Sequence, residues 1–147
     1  MNTPNPNLKL VYTLLCDDVR LEMGNKLSLM GVFQNIMVER LPISLIKFAI
    51  VQHWVGEGSY VTEVRIMSPD KLNIVAASQP SQIILQREGF ADNISFFINT
   101  VLPQPGTYFI QTLVNSSLYN EFPLVVSELC NVPPQTQEGD DFPEIIN

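Results

Sequence analysis

Few side chains in this chain could do chemistry, and the most suggestive stand together: Asp17-Asp18, with Glu22 four residues on. Carboxylates are the hard oxygen donors that Ca²⁺ takes, six or more oxygens at a time. Asp17, Asp18 and Glu22 are therefore the candidate ligand or metal residues. They are poorly placed as an acid–base pair, because neighbours in an extended chain point to opposite faces. Plain strand termination, with the carboxylates solvated or accepting turn N–H groups, competes with the metal reading. His53, the single histidine, precedes Trp54. A hydrolase could use it, but the Gly-X-Ser-X-Gly elbow is missing. A hydrogen-bonded histidine on a sheet face is the expectation. Two cysteines 114 residues apart, Cys16 and Cys130, do not make a zinc site with one histidine. Phosphate loops, Gly-X-Gly-X-X-Gly, Cys-X-X-Cys and His-Glu-X-X-His are absent from the sequence. The chain reads as a non-enzyme with no catalytic residue and no cofactor.

The elements that must position these residues read as strands. Residues 1–8 form a polar arm broken by Pro4 and Pro6. From Lys9 the period is two, with Leu10, Tyr12, Leu14 and Cys16 on one face and Val11, Thr13 and Leu15 on the other. Asp17-Asp18 bends or ends this strand. Val19 to Met23 continues, Gly24-Asn25 turns, and Lys26 to Gln34 returns as a hairpin partner. Gly31, inside that return strand, predicts a bulge or the close approach of another segment. Leu45 to Val55 is apolar on both faces, which predicts a central strand carrying Trp54 in the core. Gly56-Glu57-Gly58-Ser59 predicts a turn, 60–67 a strand, and 88–92 a loop before the strand marked by Ile94, Phe96 and Ile98. Pro105-Gly106-Thr107-Tyr108 opens the next strand. A Tyr there can bond its hydroxyl back to the corner backbone, as in immunoglobulin-like sandwiches. Pro123 predicts an edge or a bulge in the last strand. Residues 131–147 carry Glu138, Asp140, Asp141 and Glu144 and read as an acidic, flexible tail.

The fold expected is all-β: an antiparallel two-sheet sandwich, immunoglobulin-like, of eight to nine strands spanning residues 9–130. Net charge is −7, and removing the four tail acids leaves −3 for the rest. The eight Lys/Arg are scattered singly, so no basic stripe can neutralise a nucleic acid backbone. No run nears the ~20 apolar residues of a spanning helix. Residues 8–16 fail as an export signal, since Lys9 interrupts the apolar run and Leu15 is not small. Cytoplasmic location and reduced thiols follow, with a Cys16–Cys130 bridge as the sharper alternative.

Two stretches resemble an uncharacterised bacterial domain-of-unknown-function family of small β-sandwich proteins. One is Leu15-Cys16-Asp17-Asp18-Val19-Arg20 with Asn25-Lys26-Leu27-Ser28-Leu29-Met30-Gly31-Val32-Phe33. The other is Leu102-Pro103, Pro105-Gly106-Thr107-Tyr108 and Pro123-Leu124-Val125-Val126. Family members usually carry Gly-Lys at the hairpin and an Asp after Gly-Val-Phe; here Asn25-Lys26 and Gln34 stand there. The resemblance, over about residues 10–127, implies the fold and no activity.

The leading expectation is a module that binds protein or associates with itself. Phe97 and Phe109 are the candidate interface, being on faces opposite Phe96 and Tyr108. A ligand-binding sandwich, for carbohydrate or Ca²⁺, is the alternative, using residues 16–18, 56–59 and 88–92 as loops at one end. Tyr108, Gly106, Gly31 and Trp54 are expected to be structural.

Overall fold

A β-strand rises about 3.3 Å per residue, so a straight strand of 25 residues would outrun any domain of this size. Yet Ile43–Met67 is one such strand, and it bends. A computed structural model describes residues 7–129. Their nine strands are β1 (Leu8–Cys16), β2 (Asp18–Glu22), β3 (Lys26–Met30), β4 (Ile36–Val38), β5 (Ile43–Met67), β6 (Ile74–Ala77), β7 (Ser81–Leu102), β8 (Gly106–Val114) and β9 (Ser117–Glu128). The all-β expectation holds: there is no α-helix among the described residues, and none long and apolar enough to cross a membrane.

Gly56 and Gly58 make the bend in β5. Both take positive φ, and the pairing with β7 shifts register between them. β7 follows β5 around the corner, so residues 43–56 pair with 89–102, and 58–62 with 81–85. The first layer is thus β1, the early half of β5 and the late half of β7. The second holds the late half of β5 with β6, β8, β9 and β4. The predicted turn at 56–59 and loop at 88–92 are therefore corrected. Both lie inside continuous strands, because glycine lets a strand bend without breaking its ladder.

The sequence predicts separate antiparallel sheets. The chain instead makes one seven-stranded sheet, curled over, and a small two-stranded one from β2 and β3. The ladder is mixed, because β4 runs parallel to β9. Residues 31–35 after β3 carry the chain to the far edge at β4 rather than back into a hairpin. Pro123 sits where β9 has β8 on one side and lies outside the short β4 ladder, an edge position of the kind in which proline is tolerated.

Both halves of β5 face one core. Phe48 and Ile50 pack with Val64 and Ile66, together with Leu15, Phe97, Tyr108, Ile110 and Leu124. A second cluster at the bend gathers Trp54, Leu8, Tyr60, Ile83, Leu85 and Val114. Between them lies a buried polar belt. The Gln52 amide donates to Thr112 Oγ1 (2.8 Å) and Thr13 Oγ1 (3.2 Å), and Asn93 Nδ2 donates to Thr62 Oγ1 (2.7 Å). The bonds to Thr112 and Thr62 tie first layer to second, and buried polar pairs of this kind are directional where apolar packing is not.

The β2–β3 hairpin covers the other face of the first layer. Val19, Leu27 and Leu29, together with Ile94, pack on Cys16, Ala49 and Val51. Hence the early half of β5 is apolar on both faces. In β1 the face assignment is corrected: a bulge between Leu10 and Tyr12 changes its phase, turning Leu8 and Leu15 inward and leaving Tyr12 out. Cys16 is fully buried, and its bridge to Cys130 falls outside the described residues, as does the acidic tail.

Candidate interaction surface

The corner of β8 shows how local sequence sets local geometry. Tyr108 is fully buried, donates its hydroxyl proton to Gln104 O (2.7 Å) and receives the Gln104 N–H (3.3 Å). Gly106, just before it, pairs with Val126. Gly31 has φ of 68°, and the Asp17 carboxylate occupies the space where a Cβ would stand. The Asp17 N–H also donates to Met30 O (2.8 Å). The close approach predicted at Gly31 is that of Asp17.

Asp18 faces Lys47 at 3.1 Å and accepts the Val19 N–H at 2.9 Å. Glu22 lies at the far end of the hairpin, opposite Lys26, and accepts the Ser28 hydroxyl at 2.7 Å. The structure thus holds Asp17 against Gly31, Asp18 against a lysine and Glu22 apart from both. Among the described residues no group of three or more His, Cys, Asp or Glu is gathered to hold a metal ion. The hydrogen bond from Lys47, then that from Val19 N–H, lowers the Asp18 pKa. A lowered folded pKa stabilises the fold above the unfolded value of ~3.9 and loses that contribution as pH falls through the folded value. We expect Lys47→Met to bring the Asp18 titration back up toward the ordinary carboxylate range, read by carboxyl-carbon NMR. An unmoved titration would mean that Lys47 does not set it.

The Phe97 assignment is corrected. Phe97 is only 4% exposed and stacks on Phe48 across the β5–β7 ladder, with ring centroids 5.2 Å apart. Phe109 sits on β8, paired with Met67 and Pro123, under the Lys71 ammonium at 4.2 Å. The two are not brought together. Alternation puts Phe96 outward instead, because Phe96 pairs with Ala49 on the face away from the main core.

That outer face of the first layer carries the surface that sequence reasoning missed. Tyr12, His53 and Asp92 form one row across β1, β5 and β7. Tyr12 stacks with His53 (5.2 Å, 9° between planes), and Phe90 does too (5.3 Å, 29°). His53 Nδ1 donates to Asp92 Oδ1 at 2.6 Å, so the ring is held by one hydrogen bond and two stacked aromatic rings. Burial, then the Asp92 charge, raises the Tyr12 pKa. No Ser, Thr or Cys side chain is hydrogen-bonded to His53 among the described residues, so the hydrolase geometry is not assembled there. Along the same face of β7, Phe90 is 64% exposed, Phe96 47% and Ile98 58%. Lys47 Nζ stands 5.0 Å over the Phe96 ring.

Beside Phe90 opens a cleft of about 690 Å³, lined by Lys9, His53, Gly56, Glu57, Arg87 and Glu88 among others. It brings residues 56–59 and 88–92 together. Residues 16–18 do not join them. Leu8 pairs with Gly56 and Cys16 with Ala49, so the full length of β1 lies between. The expectation of three loops at one end is corrected accordingly.

The model of a family described as "Family of unknown function (DUF6941)" matches residues 11–127. No curated protein matches the chain. Among solved structures the chain is similar to the Pseudomonas fluorescens alkylpurine DNA glycosylase AlkC bound to DNA containing an abasic site analog. The identity is 8% and the TM-score 0.49, over 82% of this chain and 30% of that one. It is also similar to a CARDB domain from Pyrococcus furiosus in complex with di-metal ions. There the identity is 11% and the TM-score 0.37, over 86% and 99% of the two chains. The chain spans less than a third of the glycosylase's length.

Proposed function

The chain belongs to the DUF6941 family, whose function is unknown, and we propose that it is a non-enzymatic β-sandwich module that binds protein through the outer face of its first layer. One observation carries this reading: Phe90, Phe96 and Ile98 stand exposed in a row on β7, beside the locked Tyr12–His53 pair. Large apolar side chains grouped on one face mark interaction sites, and rigid aromatics supply contact area at low entropic cost. The Tyr108 corner and the core shared by the two halves of β5 support an immunoglobulin-like sandwich. The same reading makes it a cytoplasmic protein, in keeping with its sparse cysteines.

Site-specific photo-crosslinking in cells tests it. With a photoreactive phenylalanine at position 90 or 96, discrete protein adducts are expected. The same probe at Leu72, more exposed still but remote on the β5–β6 connection, is expected to give none. Equal yields at the three positions would sink the reading.

A second reading rests on the cleft beside Phe90, where an aromatic face adjoins Glu57, Glu88, Lys9 and Arg87. A carbohydrate, with an apolar ring face and hydroxyls, is the ligand class that such a surface suits. A glycan that binds the native state must raise its melting temperature, and Phe90→Ala must remove that gain. No gain with any glycan of a broad panel would end this reading.

A further inference from the structure

We infer that the partner of this face includes a second copy of the chain, joined by antiparallel pairing of β7 with β7 across a two-fold axis at Phe96. This rests on the protein-binding reading and specifies it. In the first layer β7 pairs only with β5, so the other edge of residues 89–102 has no ladder among the described residues. Where the connection 77–81 comes nearest, a groove of about 440 Å³ separates it from Asn93–Phe96. Sheet edges left open are normally guarded by lysine, proline or inward charge. Residues 91–102 hold no proline and no lysine, and Asp92 is their one charged residue. This edge is built to be paired.

Its side chains fit a copy of themselves. Antiparallel pairing centred on Phe96 sets Phe96 against Phe96 of the second copy and Ile94 against its Ile98, all on the outer face. On the inner face it sets Ser95 against Phe97. Asn93 meets Asn99, whose positive φ and exposed side chain end that alternation. Asp92 then meets Thr100, so no like charges oppose each other. An aromatic pair flanked by aliphatic pairs is a favourable cross-strand arrangement. The two first layers become one six-stranded sheet, and the interface is isologous, as a closed dimer requires.

Sedimentation and native mass spectrometry of the full chain read the assembly. A concentration-dependent dimer is expected. Phe96→Lys with Ile98→Lys places like charges across the axis and should raise the dimer dissociation constant at least ~10-fold, equivalent to about 1.4 kcal/mol. Both side chains are exposed, so the melting temperature of the monomer should hold. The register has its own readout. In a Cys130→Ser background, Phe96→Cys should crosslink to its copy under mild oxidation, since directly opposed residues lie within disulfide reach. Val61→Cys, on another part of the surface, should not. A dimer that survives the double lysine variant and gives no F96C crosslink overturns the β7 pairing and leaves the wider reading intact. A strict monomer that still gives photo-adducts at Phe90 or Phe96 overturns self-pairing alone. A strict monomer without such adducts overturns both.

Discussion

Trp54→Ala is expected to destabilise the fold by about 3–5 kcal/mol, enough to leave much of the chain unfolded at 37 °C. Trp54 is fully buried at the heart of the cluster beneath the bend. Its ring meets Tyr119 edge-on at 5.4 Å, and Tyr119 in turn donates its hydroxyl proton to Leu8 O at 3.2 Å. Truncation empties the space that seats the start of β1 on both layers. Trp54→Phe should behave differently. The indole Nε1–H is buried without a hydrogen-bond partner among the described residues, so Phe keeps an aromatic ring and removes an unsatisfied donor. Its cost should stay below about 2 kcal/mol, well under that of Ala. Urea unfolding followed by circular dichroism measures both. Equal losses for Phe and Ala would show that ring volume decides and that the lone donor is immaterial.

Gly56→Val is expected to cost about 3 kcal/mol or more, as backbone strain of roughly 1–3 kcal/mol adds to a steric collision. Gly56 has φ of 138°, where L side chains are rarely found, and a Cβ there would lie 1.9 Å from Asn7 O and 3.0 Å from the Leu8 Cα. The obstruction is backbone, so the start of β1 must leave the sheet or β5 must straighten. Gly24→Ala is the control. Its φ of 82° is also positive, but the nearest atom to an added Cβ is the Lys26 Cε at 3.8 Å. That variant should lose only the conformational part, about 1 kcal/mol. Amide exchange should show the Gly56 variant opening residues 8–10 before the rest of the sheet. Matching stabilities for the two variants would show that the approach of Asn7 does not constrain the bend.

Much of the strand pattern was legible because it is local. The apolar residues on both sides of 45–55 announced a strand covered on two faces, and the β2–β3 hairpin is what covers its second face. Pro123 announced an edge or a bulge, and Gly31 a bulge or a close neighbour; the edge and the neighbour are what the structure has. Phe96 and Phe97 were a different matter. Both are apolar and adjacent, and a two-residue period does not say which of its faces is inside; a one-residue slip inverts them all. The phase also changes along the strands, at the Leu10/Tyr12 bulge in β1 and near Asn99, whose φ is 52°. Past Asn99 the buried residues of β7 are Thr100 and Leu102, where before it Asn93 and Phe97 were. Glycines read as punctuation between strands proved to be bends within them, since the same permissive φ serves a reversal and a bent ladder.

By itself the sequence determined that this chain is made of strands, where its Tyr108 corner lies and that no familiar catalytic motif is present, for these depend on residue type and short spacing. Only the tertiary structure decided that β5 and β7 fold over together, that β4 closes the sheet in parallel with β9, and that Tyr12, His53, Phe90 and Asp92 share one face. Those juxtapositions depend on the register between strands far apart in the chain. That register is set by the bend at Gly56–Gly58, the packing of Trp54 beneath it and the Gln52–Thr112 and Asn93–Thr62 bonds across the core. The packing and the bonds join residues far apart in the chain, and the glycine pair by itself reads equally as a turn, so no local pattern reports the register.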